Sequence, residues 1–287
     1  MRTCFVGTTV SEFAPLRRGT DPDTFVRALR AAGRGDTLIV VKDLPVHSPL
    51  VDDASNRHAA RLADALHEHG FTLLEGQALA WVAIDFASTD EYLARLSRAA
   101  RRDIRRKLRA RRQLSIETLC PGSEVLAQAP LRESLYRLYR NVYAQSDVHF
   151  DLLDRAFLDA VLADSRLDFR LFLYRHEGRL IGFNLCFVER DTLVDKYVGF
   201  EYPAAREHNL YAVSWMHNLD YARAHGLTRY VAGWTDPAVK AHLGARFTLT
   251  RHAVYARNPL LRALLRLYGR RFEGDRAWLD EHATGRA

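Results

Sequence analysis

The stretch that most constrains the fold is residues 169–200. It reads FRLFLYRH, then EG, then RLIGFNLCFVE, then RD, then TLVDKYVGF. Three apolar runs of strand length are separated by two-residue polar turns, too short for anything but antiparallel neighbours. The chain therefore contains a three-stranded antiparallel meander. A helix should follow over residues 209–225, stopped by Gly226, and then a short strand over 230–233. Before the meander, residues 131–144 and 152–163 carry helical periodicity. After it, 248–256 reads as a strand and 260–268 as a terminal helix.

The first part of the chain is less regular. Residues 37–46 read as a strand closed by Pro45, and 56–70 as a helix ended by Gly70. FTLLEG and ALAWVAIDF then read as two strands. Ser88-Thr89-Asp90-Glu91 supplies cap chemistry for one long helix over residues 90–112, and LSIETL reads as a strand after it. CPGSE and Pro130 mark a joint, so residues 1–120 and 121–287 are expected to form two halves. The fold class expected is α/β (α+β), a mixed, largely antiparallel sheet flanked by helices.

Charge is concentrated rather than spread. Of 287 residues 48% are apolar and 27% charged, with a net charge of +7. The segment RAARRDIRRKLRARR (residues 98–112) holds nine basic residues and one acidic one, so the rest of the chain is slightly acidic. In it Leu96, Ala100, Ile104 and Leu108 form one apolar face. Arg98, Arg102, Arg105, Arg106 and Arg109 fall opposite, with Arg101 and Arg112 at the margin. This element reads as a solvated face or as a site for the phosphates of tRNA or of a carrier-protein phosphopantetheine. A non-catalytic nucleic-acid-binding module is disfavoured, because aromatic interleaving is sparse and the charge sits on one element. Cys4, Cys120 and Cys186 form no CxxC pair, and no ligand set has metal spacing. Cys186 reads as a buried structural thiol. His217 and Asp220 read as a hydrogen-bonded helical pair. Tyr136, Tyr139, Tyr143 and His149 border the joint, with the tyrosines at packing spacing. No apolar run reaches membrane-spanning length and no leader pattern opens the chain, so a cytoplasmic location is expected.

The order strand, EGR turn, strand, then DKYVGFEYPAAREHNLYAVSWMHNLDYARAHGLTRYVAGW, resembles the core of the GNAT superfamily. FASTDEYLARLSRAARRDIRRKLRARR resembles a segment of the branch related to Fem-type peptidoglycan aminoacyltransferases. The resemblance covers about residues 81–119 and 171–257. It implies two GNAT-like halves, the second catalytic, and an acyltransferase that holds no permanent cofactor. Its co-substrate would be acyl-CoA or another acyl thioester such as acyl carrier protein, with a small-molecule or peptide amine as acceptor. Aminoacyl-tRNA is the alternative donor.

The resemblance places the donor's phosphates at the loop entering the helix, here Arg206, His208, Asn209 and Leu210, where free amides and the helix end favour an anion. Asn209 and Tyr211 stand where small residues would admit a pyrophosphate. Asp195 and Lys196 interrupt an apolar strand. Strict alternation puts Asp195 and Tyr197 on one face and Lys196 on the other. Asp195 is the candidate base, with Glu201 and Glu207 as alternatives and Tyr211 as the proton donor to the leaving group. Lys196, Tyr197, Trp234, Lys240 and His242 are candidates for holding the acceptor.

Overall fold

The structure is a computed structural model that describes residues 2–8, 10–14, 17, 19–146 and 152–283. His149 lies outside the described residues. The chain divides into two compact units, Met1–Leu79 with Phe247–Ala287, and Ala80–Arg246.

The first unit opens with β1 (Thr3–Val6), α1 (Pro22–Ala32), β2 (Leu38–Pro45), α2 (Asp53–Glu68) and most of β3 (Thr72–Ala83). Both helices start on aspartate caps: Asp21 accepts from the Thr24 amide at 2.9 Å, and Asp52 from the Ser55 amide at 2.7 Å. Strand β1 pairs parallel with β2, which pairs antiparallel with the strand that returns the chain at its far end. The core gathers Ile39, Val41, Leu62, Leu66, Phe71 and Tyr255. Where two strands were expected over residues 71–86, β3 is continuous. Gly76, which ends the first of those two runs, is a strand residue. A Cβ there would lie 2.4 Å from Thr250 Oγ1 and 2.7 Å from His252 Nε2, so glycine serves close approach rather than reversal.

The second unit holds α3 (Thr89–Ala94), α4 (Arg98–Lys107), β4 (Leu114–Leu119), α5 (Ala129–Gln145), α6 (Arg155–Ala163), β5 (Phe169–His176), β6 (Arg179–Glu189) and β7 (Thr192–Phe200). Next come α7 (Ala204–Glu207), α8 (Leu210–Ala224), β8 (Arg229–Gly233) and α9 (Pro237–His242). Strand β9 (Arg246–Ala256) and helices α10 (Pro259–Tyr268) and α11 (Gly274–Ala283) then complete the first unit. In the second unit the strand order is β3, β8, β7, β6, β5, β4, antiparallel except between β7 and β8. The expected mixed, largely antiparallel architecture is present, with the meander at its centre. The stretch around residues 120–130, expected to join two halves, lies inside this unit and leads into α5.

The long helix expected over residues 90–112 is three pieces. Ser97 is extended and its hydroxyl accepts from the Ala100 amide at 3.2 Å, so the backbone restarts as α4 instead of continuing α3. Beyond Lys107 the chain tightens into a 3-10 segment, Leu108–Gln113. Ala100 and Ile104 are buried as the apolar stripe requires.

Alternation on the meander builds two faces. Phe169, Leu171, Leu173, Phe183 and Leu185 pack against Leu131, Leu135 and Leu138 of α5 and Leu158 and Leu162 of α6. Phe172, Tyr174, Asn184 and Cys186 face the other way, where Phe172 meets His217 and Tyr221 of α8. Gly199 lets β7 approach α5: an added Cβ would fall 2.1 Å from a Phe183 ring carbon and 2.8 Å from the Leu138 carbonyl carbon. Gly199→Ala should therefore destabilise the unit by roughly 1–3 kcal/mol through overpacking. Chemical denaturation would measure this, and an unchanged midpoint would mean that β7 can shift away from α5.

Candidate active site

The candidate site lies where the parallel pairing of β7 and β8 stops. The ladder runs from Thr192, Leu193 and Val194 to Arg229, Tyr230 and Val231 and goes no further. At that point β7 carries a bulge. Cys186 pairs with Asp195 and Leu185 with Tyr197, which leaves Lys196 as the extra residue. The bulge overturns the alternation expected from sequence, because Asp195 and Tyr197 lie on opposite faces. Tyr197 joins the α5–α6 side, edge-on to Tyr139 and Phe157. Asp195 turns under α8.

The Asp195 carboxylate is held from three elements. Its Oδ2 accepts from Asn184 Nδ2 of β6 at 2.8 Å, Asn218 Nδ2 of α8 at 3.0 Å and the Tyr230 hydroxyl of β8 at 2.9 Å. Among the described residues its Oδ1 has only the Cys186 thiol, at 3.6 Å. Burial pushes the Asp195 carboxyl above its ordinary range, partly offset by donation from Asn184, Tyr230 and Cys186 and by the charge of Lys240. Asp195 nevertheless keeps part of its surface accessible, as do residues 196–198 and 232–235. Strand interiors at the centre of a covered sheet would be sealed, so this accessibility marks a cleft beyond the last paired residues.

Lys240 belongs to the same cluster. Asp236, in the left-handed conformation at φ 55°, opens α9, and the helix turns Lys240 inward. Only 4% of Lys240 is exposed, and its ammonium donates to the Trp234 carbonyl at 3.2 Å. Burial lowers its pKa to about 8, against the pull of Asp236 and Asp195. The Tyr211 hydroxyl is pushed up by burial and by the charges of Asp236 and Asp195. Asp195, Lys240, Tyr211 and Asp236 thus share one electrostatic neighbourhood.

The remaining candidates are placed differently. Glu201 is ion-paired with Arg137 at 3.3 Å and also with Arg179, which makes it a tie between α5, β6 and the end of β7. Glu207 is exposed on α7. Arg206 donates to Gln145 Oε1 at 2.9 Å and lies over the Tyr202 ring. His208 contacts Gln113 Oε1 at 3.1 Å and stacks on His176, with ring centroids 4.0 Å apart. The His208 and Asn209 amides close the α7 turn on the carbonyls of Ala204 and Arg206, so they are spent on the backbone. Leu210 is fully buried against Gly182. His242 pairs with Asp103 of α4 at 3.0 Å, and Trp234 contributes its carbonyl to Lys240.

His217 and Asp220 do not bond each other. His217 faces Phe172 and Tyr174, while Asp220 accepts from the Thr89 hydroxyl at 2.7 Å. Cys186 is buried, as expected of a structural thiol. No cluster of potential metal ligands occurs among the described residues. Asn184, Asn218 and Tyr230 were not singled out in the sequence. The available signal was an asparagine inside each of two apolar runs, LIGFNLCF and AVSWMHNL.

A family model named FemAB_like, described as peptidoglycan biosynthesis/recognition, matches residues 54–277. The chain belongs to the FemAB-like family. Its fold is similar to L-PGS from Bacillus licheniformis (TM-score 0.59, 12% identity, 87% of this chain and 78% of that one). It is also similar to FemX (TM-score 0.56, 14% identity, 92% and 82%). In sequence it is 28% identical over 248 residues to a Mycobacterium tuberculosis protein named "Putative 8-amino-7-oxononanoate synthase 2". That match takes in 85% of this chain, which spans about a third (31%) of the curated relative's length.

The buried ammonium gives this FemAB-like chain a pH signature. Below about pH 8 Lys240 is charged in both the folded and unfolded states, and the folded state bears its desolvation. Between about 8 and the ordinary value of 10.5 only the unfolded state holds the proton, so stability rises with pH across that window. Lys240→Met should therefore stabilise the protein at pH 7 by roughly 2 kcal/mol, after subtracting the lost hydrogen bond. The gain should vanish by about pH 10. Melting curves across pH test this, and a fall in melting temperature at pH 7 would contradict it.

Proposed function

We propose that the cleft beyond the β7–β8 ladder transfers an aminoacyl group from aminoacyl-tRNA to an amine, with Asp195 as the general base. The observation that carries this reading is the one-sided tether of Asp195. Three donors fix Oδ2, which leaves Oδ1 as the more basic oxygen in a carboxyl already made basic by burial. The acceptor amine attacks the ester carbonyl of the donor and forms the amide bond. Asp195 takes the amine's proton, and the ribose hydroxyl leaves with a proton from Tyr211 or Lys240. With its pKa near 8, Lys240 can give or take a proton near neutrality.

Two observations favour a polyanionic donor over acyl-CoA or acyl carrier protein. The His208 and Asn209 amides are occupied by the α7 turn, so the helix entry offers a poorer cradle for a pyrophosphate than an open loop would. Meanwhile Arg98, Arg102, Arg109 and Arg112 are exposed, with no carboxylate partner among the described residues. They sit on α4 and the 3-10 segment after it, and Gln113 at the end of that segment touches His208. A basic track thus leads to the mouth of the helix-entry loop.

Asp195→Asn keeps the shape and an acceptor for the three donors but removes the base. Turnover should fall roughly a hundredfold or more, with melting temperature nearly unchanged. Glu201→Gln should do the reverse, lowering stability through its lost arginine partners while turnover survives. Retained turnover in Asp195→Asn would remove Asp195 from the chemistry. Replacing Arg102, Arg109 and Arg112 with Glu should weaken aminoacyl-tRNA binding and flatten its salt dependence. Binding of acyl-CoA by the parent, insensitive to this replacement, would assign the donor to the thioester class instead.

A further inference from the structure

Helix α10 in the first unit carries a feature that the transfer chemistry does not use. Leu260, Leu264 and Leu267 recur at i, i+4 and i+7 on one face and are 74%, 52% and 72% exposed. Phe272, just beyond the helix, is 73% exposed and Tyr268 44%. The opposite face is the anchored one. Arg262 donates to the Ala256 carbonyl at 2.9 Å and to the Tyr255 hydroxyl at 3.0 Å, with its guanidinium over the Tyr255 ring.

Both ends of the helix are also fixed. Asn258 caps the start by accepting from the Leu260 amide at 2.8 Å. Gly269 is buried against Leu74. After it, Glu273 accepts from the Glu75 amide at 2.9 Å and Asp275 from the Ala78 amide at 2.8 Å. The leucines therefore face solvent because the helix is held that way round, not because it is loose.

The charge around this stripe has one sign. Residues 257–272 (RNPLLRALLRLYGRRF) contain five arginines and no acidic residue. Arg266, Arg270 and Arg271 are exposed and have no carboxylate partner among the described residues. The nearby acids, Glu273 and Asp275, are spent on β3 amides. A second copy of the chain docking face to face would set arginines against arginines.

We propose that α10 and the turn after it form an in-plane docking surface for an anionic lipid bilayer. Leu260, Leu264, Leu267 and Phe272 enter the headgroup–acyl boundary, and Arg270 and Arg271 contact lipid phosphates, whereas the Arg266 guanidinium lies on the anchored side, beside that of Arg262 at Gly70. At 10 residues the helix is about 15 Å long, half a bilayer core, so it lies on the membrane and does not cross it.

Vesicle flotation with the purified full chain, without donor or acceptor, tests this independently of the transfer reaction. Vesicles of phosphatidylglycerol mixed with phosphatidylcholine should carry the protein, and phosphatidylcholine alone should carry far less. Replacing Leu260, Leu264 and Leu267 with Glu should abolish flotation while circular dichroism and melting temperature hold, since these side chains support no core. Replacing Arg270 and Arg271 with Ala should weaken binding to the anionic vesicles roughly thirtyfold. Phe272→Trp should give a blue-shifted emission on those vesicles. No flotation of the parent, or flotation unaffected by the leucine replacements, would overturn the proposal. So would sedimentation of a dimer that the same replacements dissolve, because the face would then belong to a second copy.

Discussion

The second unit is organised around one half-buried carboxylate. Asp195 accepts hydrogen bonds from β6, β8 and α8, so its oxygen ties the meander, the parallel strand and the covering helix to a single point. A charge in that position needs its donors: removing any one leaves either a starved carboxylate or an unpaired amide. The bulge at Lys196 is what delivers Asp195 to this place, since if Lys196 were paired in regular alternation the carboxylate would share the face of Tyr197, on the α5 side among leucines and phenylalanines. The same bulge coincides with the end of the β7–β8 ladder, so the device that buries the acid also opens the cleft beside it.

This coincidence explains why the fold was more legible than the site. The meander follows from apolar runs and two-residue turns, both local signals, and its three strands fall where the sequence places them. A bulge has no such signature. VDKYVGF alternates well enough to suggest a regular strand, and the face assigned to Tyr197 inverts only because Lys196 is skipped in pairing. The asparagines were visible as polar intrusions in apolar runs, but nothing local says that Asn184, Asn218 and Tyr230 converge on one oxygen. That convergence depends on a parallel strand that returns only after a helix.

Lys240 illustrates the same limit from the other side. Trp234-Thr235-Asp236-Pro237 has the composition of a turn, and Pro237 also suits the first position of a helix. The structure takes the second option, and six helical residues suffice to turn Lys240 inward. The ammonium then costs folding free energy at neutral pH, because burial outweighs the attraction of Asp236 and Asp195. If the proposed transfer is right, retaining it is a stability–function compromise of the kind found where a proton must move.

The two arginine-rich helices look alike in composition and are physically opposite. On α4 the apolar residues Ala100 and Ile104 are buried, and the arginines line a face that is polar throughout. Such a surface gains by releasing counterions from a hydrated polyanion and gains nothing from an apolar phase. On α10 the arginine that faces inward, Arg262, is consumed by the Tyr255 ring and backbone carbonyls, while leucines occupy the outward face and lead to Arg270 and Arg271, which have no carboxylate partner among the described residues. A nucleic acid would satisfy those arginines but leave the leucines wet, whereas an anionic bilayer boundary satisfies both. Counting basic residues cannot separate the two helices; asking which side chains each buries against its own unit does.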